Sequence, residues 1–288
     1  MLSKLKGFFV CPESNQLFDL FLQKPNEFFG ESLVFRNKFH LAISQDLQIK
    51  HLKLDKIYGI DKIPKGETNL EMFFNLLDDY KNLVMPEAEY IVYKHNNLYQ
   101  LIDKVSIIPG HKTMFITLIR DVRGVFASQC KTLNPYSGHR LNSNPLITSY
   151  SWNKLINHTI YYANRKNIYI VKFEDLISNN KTCIVELLKK LEISNPVTEF
   201  NRSFWLENRL PEQEKSLHPN INLSPVLEKL EEWKEELDTI DISILEKISN
   251  NELNHFKYDL SMHHGDTLKT TLRLMYYKAR IIFGLDHY

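Results

Sequence analysis

Phe115-Ile116-Thr117-Leu118-Ile119-Arg120-Asp121-Val122-Arg123-Gly124-Val125-Phe126-Ala127-Ser128 is the stretch on which the reading of the fold turns. Five apolar or β-branched residues in a row form a short strand, and Arg120-Asp121 ends it. Val125, Phe126 and Cys130 then continue at helical spacing. A strand that passes through a two-residue polar turn into a helix is half of a βαβ unit. An arginine directly after the strand, with a serine in the first turns of the helix, suits a phosphate group. Arginine supplies a planar two-pronged donor, and the helix start adds backbone N–H groups and the positive end of its dipole. The same arginine can equally pair with Asp121 or Glu174 at the sheet edge, so the segment alone leaves both roles open.

The same grammar recurs along the chain. Gly7-Phe8-Phe9-Val10-Cys11 is followed by a turn over residues 12–15 and a helix carrying Leu17, Phe18, Leu20 and Phe21. Tyr90-Ile91-Val92-Tyr93 ends in Lys94-His95-Asn96-Asn97, and Ile168-Tyr169-Ile170-Val171 ends in Lys172-Phe173-Glu174-Asp175. The helix after this last run carries Ile184, Leu187, Leu188 and Leu191 at i, i+3, i+4 and i+7, with Asn179 or Asn180 as its cap. Further helices are expected over Asn69 to Tyr80, over Ser149 to Asn164, and from Ser224-Pro225 through Trp233 and Leu237. Residues 132–148 read as a long irregular loop, of the kind that is more often functional than incidental. Repeated strand–helix units predict an α/β fold with a central parallel sheet of four or five strands and helices on both faces. Ligands then bind beyond the carboxyl ends of the strands.

Residues 1–264 are read as one domain, and residues 265–288 as an appended helix. Leu268, Leu272, Met275, Tyr276, Ala279, Ile282 and Phe283 fall on one face of that helix, beside Lys269, Arg273, Lys278 and Arg280. Residues 266–283 therefore offer a contact to a membrane surface or a partner, or a seam that docks on the chain's own domain.

Composition bounds the function. Lys plus Arg number 36 against 35 for Asp plus Glu, which lacks the basic excess of a nucleic-acid binder. Hydrophobic residues at 43% and charged residues at 25% are ordinary for a folded globular chain. Cys11, Cys130 and Cys183 are too far apart for a zinc site and odd in number, so reduced thiols are expected. His263-His264 and the other histidines show no ligand spacing, and no metal is expected. No apolar window reaches the roughly 20 residues of a membrane span, and the start MLSKLKGFFVCPES has too short an apolar stretch for a signal peptide. A cytoplasmic protein is the expectation.

Beyond these physical readings, the segment from Phe115 to Ser128 resembles the 3′-phosphate motif of the sulfotransferases, in which a strand ends in Arg and a Ser lies eight positions later. Arg120 and Ser128 keep that spacing. The segment from Ile168 through Glu174-Asp175-Leu176 is similar to a second strand, turn and helix of that family, and Trp233-Lys234-Glu235-Glu236-Leu237 to its C-terminal tryptophan segment. The resemblance covers residues 5 to 260 and implies the P-loop-NTPase-like sulfotransferase fold, a three-layer α/β/α arrangement.

The resemblance implies transfer of a sulfuryl group from 3′-phosphoadenosine 5′-phosphosulfate (PAPS) to a hydroxyl of a small-molecule or glycan acceptor. Arg120 and Ser128 would hold the 3′-phosphate. The turn Pro12-Glu13-Ser14-Asn15-Gln16 would hold the 5′ side through Pro12, Ser14, Asn15 and Gln16. In the family this turn carries a Lys or Arg, a Gly and two Thr; here Glu13 stands in the cation's place and Asn15 in the glycine's. Lys94 would neutralise the sulfuryl oxygens, and either His95 or Glu31 would take the acceptor proton. The altered turn keeps a second reading open, a sulfotransferase-fold binding or scaffold protein without catalysis. A nucleoside-phosphate kinase is disfavoured because GxxxxGK[ST] occurs nowhere in the chain.

Overall fold

The computed structural model describes residues 2, 5, 7–11, 13–30, 32–45, 52–59, 62–104, 112–134, 137–163, 168–193, 227–261 and 267–286. Pro12, Glu31, Asn164, the pair Ser224-Pro225 and the pair His263-His264 lie outside these residues. The chain divides into two compact units, residues 1–113 with 191–215, and residues 114–190 with 216–288.

In the first unit Gly7, with φ of +84°, makes a left-handed turn into β1 (Phe8–Cys11). β1 pairs in parallel with β2 (Tyr90–Tyr93), Phe8 opposite Tyr90 and Cys11 opposite Tyr93. The crossover between them holds α1 (Asn15–Leu17), which continues as one π-helical stretch over Phe18–Leu22, then α2 (Leu33–Gln45) and α3 (Asn69–Val84). Thr68 caps α3 by accepting from the Glu71 N–H, and the Glu71 carboxylate accepts in turn from the Glu67 N–H. This reciprocal cap fixes the helix start. α3 runs one turn past the expected Tyr80, because residues 81–84 contain no breaker. Phe9, Phe21 and Phe39 are fully buried and form an aromatic core, in which Phe21 meets the rings of Phe35, Phe39 and Phe73 at 5.5–6.0 Å. Each such pair adds about 0.5–1.5 kcal/mol beyond its buried area.

In the second unit β3 (Phe115–Ile119) pairs in parallel with β4 (Ile168–Lys172), Phe115 opposite Ile168 and Ile119 opposite Lys172. The crossover is α4 (Val122–Lys131) and α5 (Pro145–Ala163). After β4 come α6 (Phe173–Ser178), α7 (Asn180–Lys190), α8 (Trp233–Glu236), α9 (Thr239–Ile248), α10 (Asn250–His255) and α11 (Thr267–Ile282). Ile119, Val122, Phe126, Trp152, Ile156, Leu245, Leu253 and Tyr258 form the core of this unit.

All four expected strands are present, so the mixed α/β class on parallel strands stands. Among the described residues hydrogen bonding joins them two by two, not in one ladder of four or five. The stretch from Phe115 to Ile119 reads as a strand covered on both faces, yet only Thr117 and Ile119 are buried while Ile116 and Leu118 are exposed.

Two boundaries also differ from the sequence reading. α5 begins at Pro145, four residues before Ser149, because the Asn144 side chain accepts from the Leu146 N–H and proline takes the first helical position. The expected loop is accordingly shorter, and Leu133 and Arg140 bridge within it in antiparallel fashion. The helix expected from Ser224 is, within the described residues, a 3₁₀ turn over Leu227–Leu230 followed by the short α8. None of the three cysteines is joined in a disulfide.

Candidate functional site

The first unit gathers the polar ends of β1 and β2 around the start of α1. Ser14 is fully buried and caps α1, its Oγ accepting from the Leu17 N–H at 3.1 Å. The Tyr93 hydroxyl donates to the Ser14 carbonyl at 3.2 Å, which ties the turn to β2. Glu13 and Lys94 form an ion pair at 2.8 Å, with side-chain exposures of 33% and 66%. The cation assigned to the sulfuryl oxygens and the acid that replaces the family's cation therefore neutralise each other.

His95 is buried and stacks flat on Phe18 at 4.1 Å. Its Nδ1 accepts from the Asn97 N–H at 3.2 Å, so that nitrogen carries no proton. Nε2 then holds the ring proton and donates to Asn15 Oδ1 at 2.9 Å. Burial pushes the His95 pKa down; Glu13 and Asp19 oppose the shift and Lys94 adds to it. The ring is thus neutral near pH 7, and proton transfer to it requires that Nδ1 release the Asn97 N–H. Gln16 follows in α1. A cavity of about 410 Å³ opens on the same helix, lined by Phe18, Asp19, Leu22, Gln100, Leu101 and Lys104.

The second unit holds the other predicted pair. Arg120 leaves β3 at the start of α4, with its guanidinium carbon 5.0 Å from the Phe173 ring centroid. Its side chain lies across Gly124: a Cβ on that glycine would stand 3.1 Å from Arg120 Nε and 3.4 Å from Nη2. Ser128 is exposed one turn further along α4, on the same face as Gly124. No carboxylate among the described residues pairs with Arg120. Glu174 is engaged by the Asp121 N–H at 3.1 Å and the Tyr258 hydroxyl at 2.9 Å.

Asp121 is engaged too. It caps α4 by accepting from the Arg123 N–H and pairs with the Arg123 side chain at 2.6 Å. Arg123 reaches Glu246 at 2.5 Å and lies 4.0 Å from the Trp233 ring centroid. Glu246 also accepts from the Ser261 N–H and hydroxyl. This buried triad, absent from the sequence reading, engages Asp121, while Glu174 is held by the Asp121 N–H and Tyr258, so neither acid expected to pair with Arg120 does so. Gly124 and Phe173 were also missed as site residues. An isolated glycine inside a helical pattern, four residues after the arginine, is the signal that marks the first.

Comparison with family models, with curated proteins and with solved structures finds no match to this chain.

Proposed function

We propose that the protein is a PAPS-dependent sulfotransferase with a three-layer α/β/α fold that acts in the cytoplasm on hydroxyl acceptors, glycans foremost. The observation that carries the reading is Arg120 laid across Gly124 at the start of a ten-residue helix, with no carboxylate partner among the described residues. A cation presented beside a helix N-terminus, above a residue with no side chain, is suited to a phosphate dianion. Ser128 adds a hydroxyl from the next turn. The 3′-phosphate of the cofactor is assigned to these residues.

The reaction is an in-line displacement. The acceptor oxygen forms a bond to sulfur as the bond from sulfur to the 5′-phosphate oxygen breaks, and 3′,5′-bisphosphoadenosine leaves. His95 or Glu31 takes the acceptor proton, and Lys94 faces the sulfuryl oxygens once Glu13 releases it. The polar lining of the cavity beside Phe18 suits a hydroxyl-rich acceptor.

One observation favours a second reading, cofactor binding without transfer: Glu13 occupies Lys94, and both ring nitrogens of His95 are engaged. Calorimetric titration with 3′,5′-bisphosphoadenosine and with adenosine 5′-phosphate tests the assignment. Arg120→Ala should weaken the first by about 2–3 kcal/mol, roughly 30- to 150-fold, and leave the second unchanged. Equal affinity of variant and parent for the bisphosphate rules the site out. Transfer of labelled sulfuryl group to a panel of acceptors separates the enzyme from the binding protein.

A further inference from the structure

α11 is docked on its own unit the wrong way round for an amphipathic helix. Of its residues only Tyr277 is buried. Tyr277 packs on Leu146 and Ile244, donates its hydroxyl to Asp241 at 2.9 Å, and receives Asn144 Nδ2 at its backbone carbonyl. Arg273 pairs with Asp238, while Arg280 pairs with Asp286 and donates to Ser143 Oγ at 3.0 Å. These polar contacts fix the rotation of the helix about its axis. At 3.6 residues per turn, the apolar residues Leu268, Leu272, Met275, Tyr276, Ala279, Ile282 and Phe283 span an arc of about 120° centred opposite Tyr277. That arc faces outward: Leu268, Leu272, Ile282 and Phe283 are 68%, 58%, 77% and 74% exposed.

We infer that this outward face is a membrane-surface helix that takes up anionic lipid, its apolar residues entering the headgroup region while the rest of the second unit stays in water. Charge selects the occupant. Lys269 and Lys278 are exposed and stand at opposite borders of the apolar arc, and no acidic residue occurs from Thr267 to Leu285. A second copy docked through the same face in two-fold fashion would bring these lysine borders together with no acid of the helix to meet them. A bilayer containing phosphatidylserine offers both the apolar depth and the negative charge. Sixteen residues are too few to span a bilayer, which needs about 20, and the Tyr277 anchor holds the helix alongside its unit, so the helix lies in the plane of the surface.

The test is co-sedimentation of the full chain with vesicles of phosphatidylcholine, with and without phosphatidylserine. The chain should pellet with the mixed vesicles and much less with pure phosphatidylcholine. Leu272→Glu combined with Phe283→Glu should abolish pelleting. Lys269→Ser combined with Lys278→Ser should weaken it by about ten-fold or more, as loss of two surface cations implies. Both pairs change exposed positions, and thermal melts should match the parent. A parent chain that stays in the supernatant with both vesicles overturns the inference. So does pelleting indifferent to either variant pair, or a dimer in sedimentation velocity that Leu272→Glu dissociates.

Discussion

Replacing Glu13 by glutamine should move stability and ligand affinity in opposite directions. The Glu13–Lys94 pair is close, at 2.8 Å, but sits in solvent, with two thirds of the lysine side chain exposed. Pairs of this kind contribute about 0.2–1 kcal/mol, so Glu13→Gln should lower the melting temperature by only a few degrees. The effect on an anion at the Ser14–Gln16 turn is larger. With glutamate present, the pair contributes no net charge beside the turn; with glutamine, it contributes one cation. A unit charge at about 6 Å is worth roughly 0.7 kcal/mol in bulk water and 3 kcal/mol at the effective dielectric of a protein surface. Glu13→Gln should therefore tighten 3′,5′-bisphosphoadenosine by about 3- to 100-fold, a gain that shrinks as salt is added. Calorimetric titration at two ionic strengths measures it. The double variant Glu13→Gln, Lys94→Gln should return to the parent affinity, because the cation that produced the gain is gone. Unchanged or weaker binding in the single variant refutes the placement of the anion at this turn.

Gly124→Ala should raise stability by about 0.5–1 kcal/mol, since alanine favours a helix and the atoms nearest the new methyl all belong to the flexible Arg120 side chain, yet it should weaken bisphosphoadenosine binding by displacing that guanidinium. A calorimetric titration beside a thermal melt checks both signs, and unchanged affinity would separate Gly124 from the site. Arg123→Met leaves the Asp121 and Glu246 carboxylates buried without their cation, and urea denaturation should report a loss of about 3–5 kcal/mol. A loss below about 1 kcal/mol would show that the triad does not hold the second unit together. His95 gives a pH signature: because burial lowers its pKa, the unfolded chain binds the proton more readily than the folded one. Stability should be level above the ordinary value of 6.5 and fall as pH drops below it toward the lowered folded value. Melts of His95→Gln should lack that acidic slope, and identical profiles for parent and variant would deny His95 the role.

The sequence by itself determined the local units. Four short runs of apolar and β-branched residues became the four strands, and Arg120 and Ser128 kept the places on strand end and helix that their eight-residue spacing predicts. Strand pairing was decided only in three dimensions, because periodicity within a segment carries no information about which distant segment supplies its hydrogen-bond partners. The occupancy of the charged groups was likewise tertiary. Glu13 and Lys94 lie far apart in the chain, as do Arg123 and Glu246, and no local pattern announces that they neutralise one another. Nor did the pattern of α11 say which side would dock. The apolar stripe left an inward and an outward face equally open, and the single buried Tyr277, with its hydrogen bond to Asp241 and the flanking ion pairs, turned that stripe to the outside. A helix rotates to satisfy its strongest contacts together, and those contacts come from residues that the sequence holds far away.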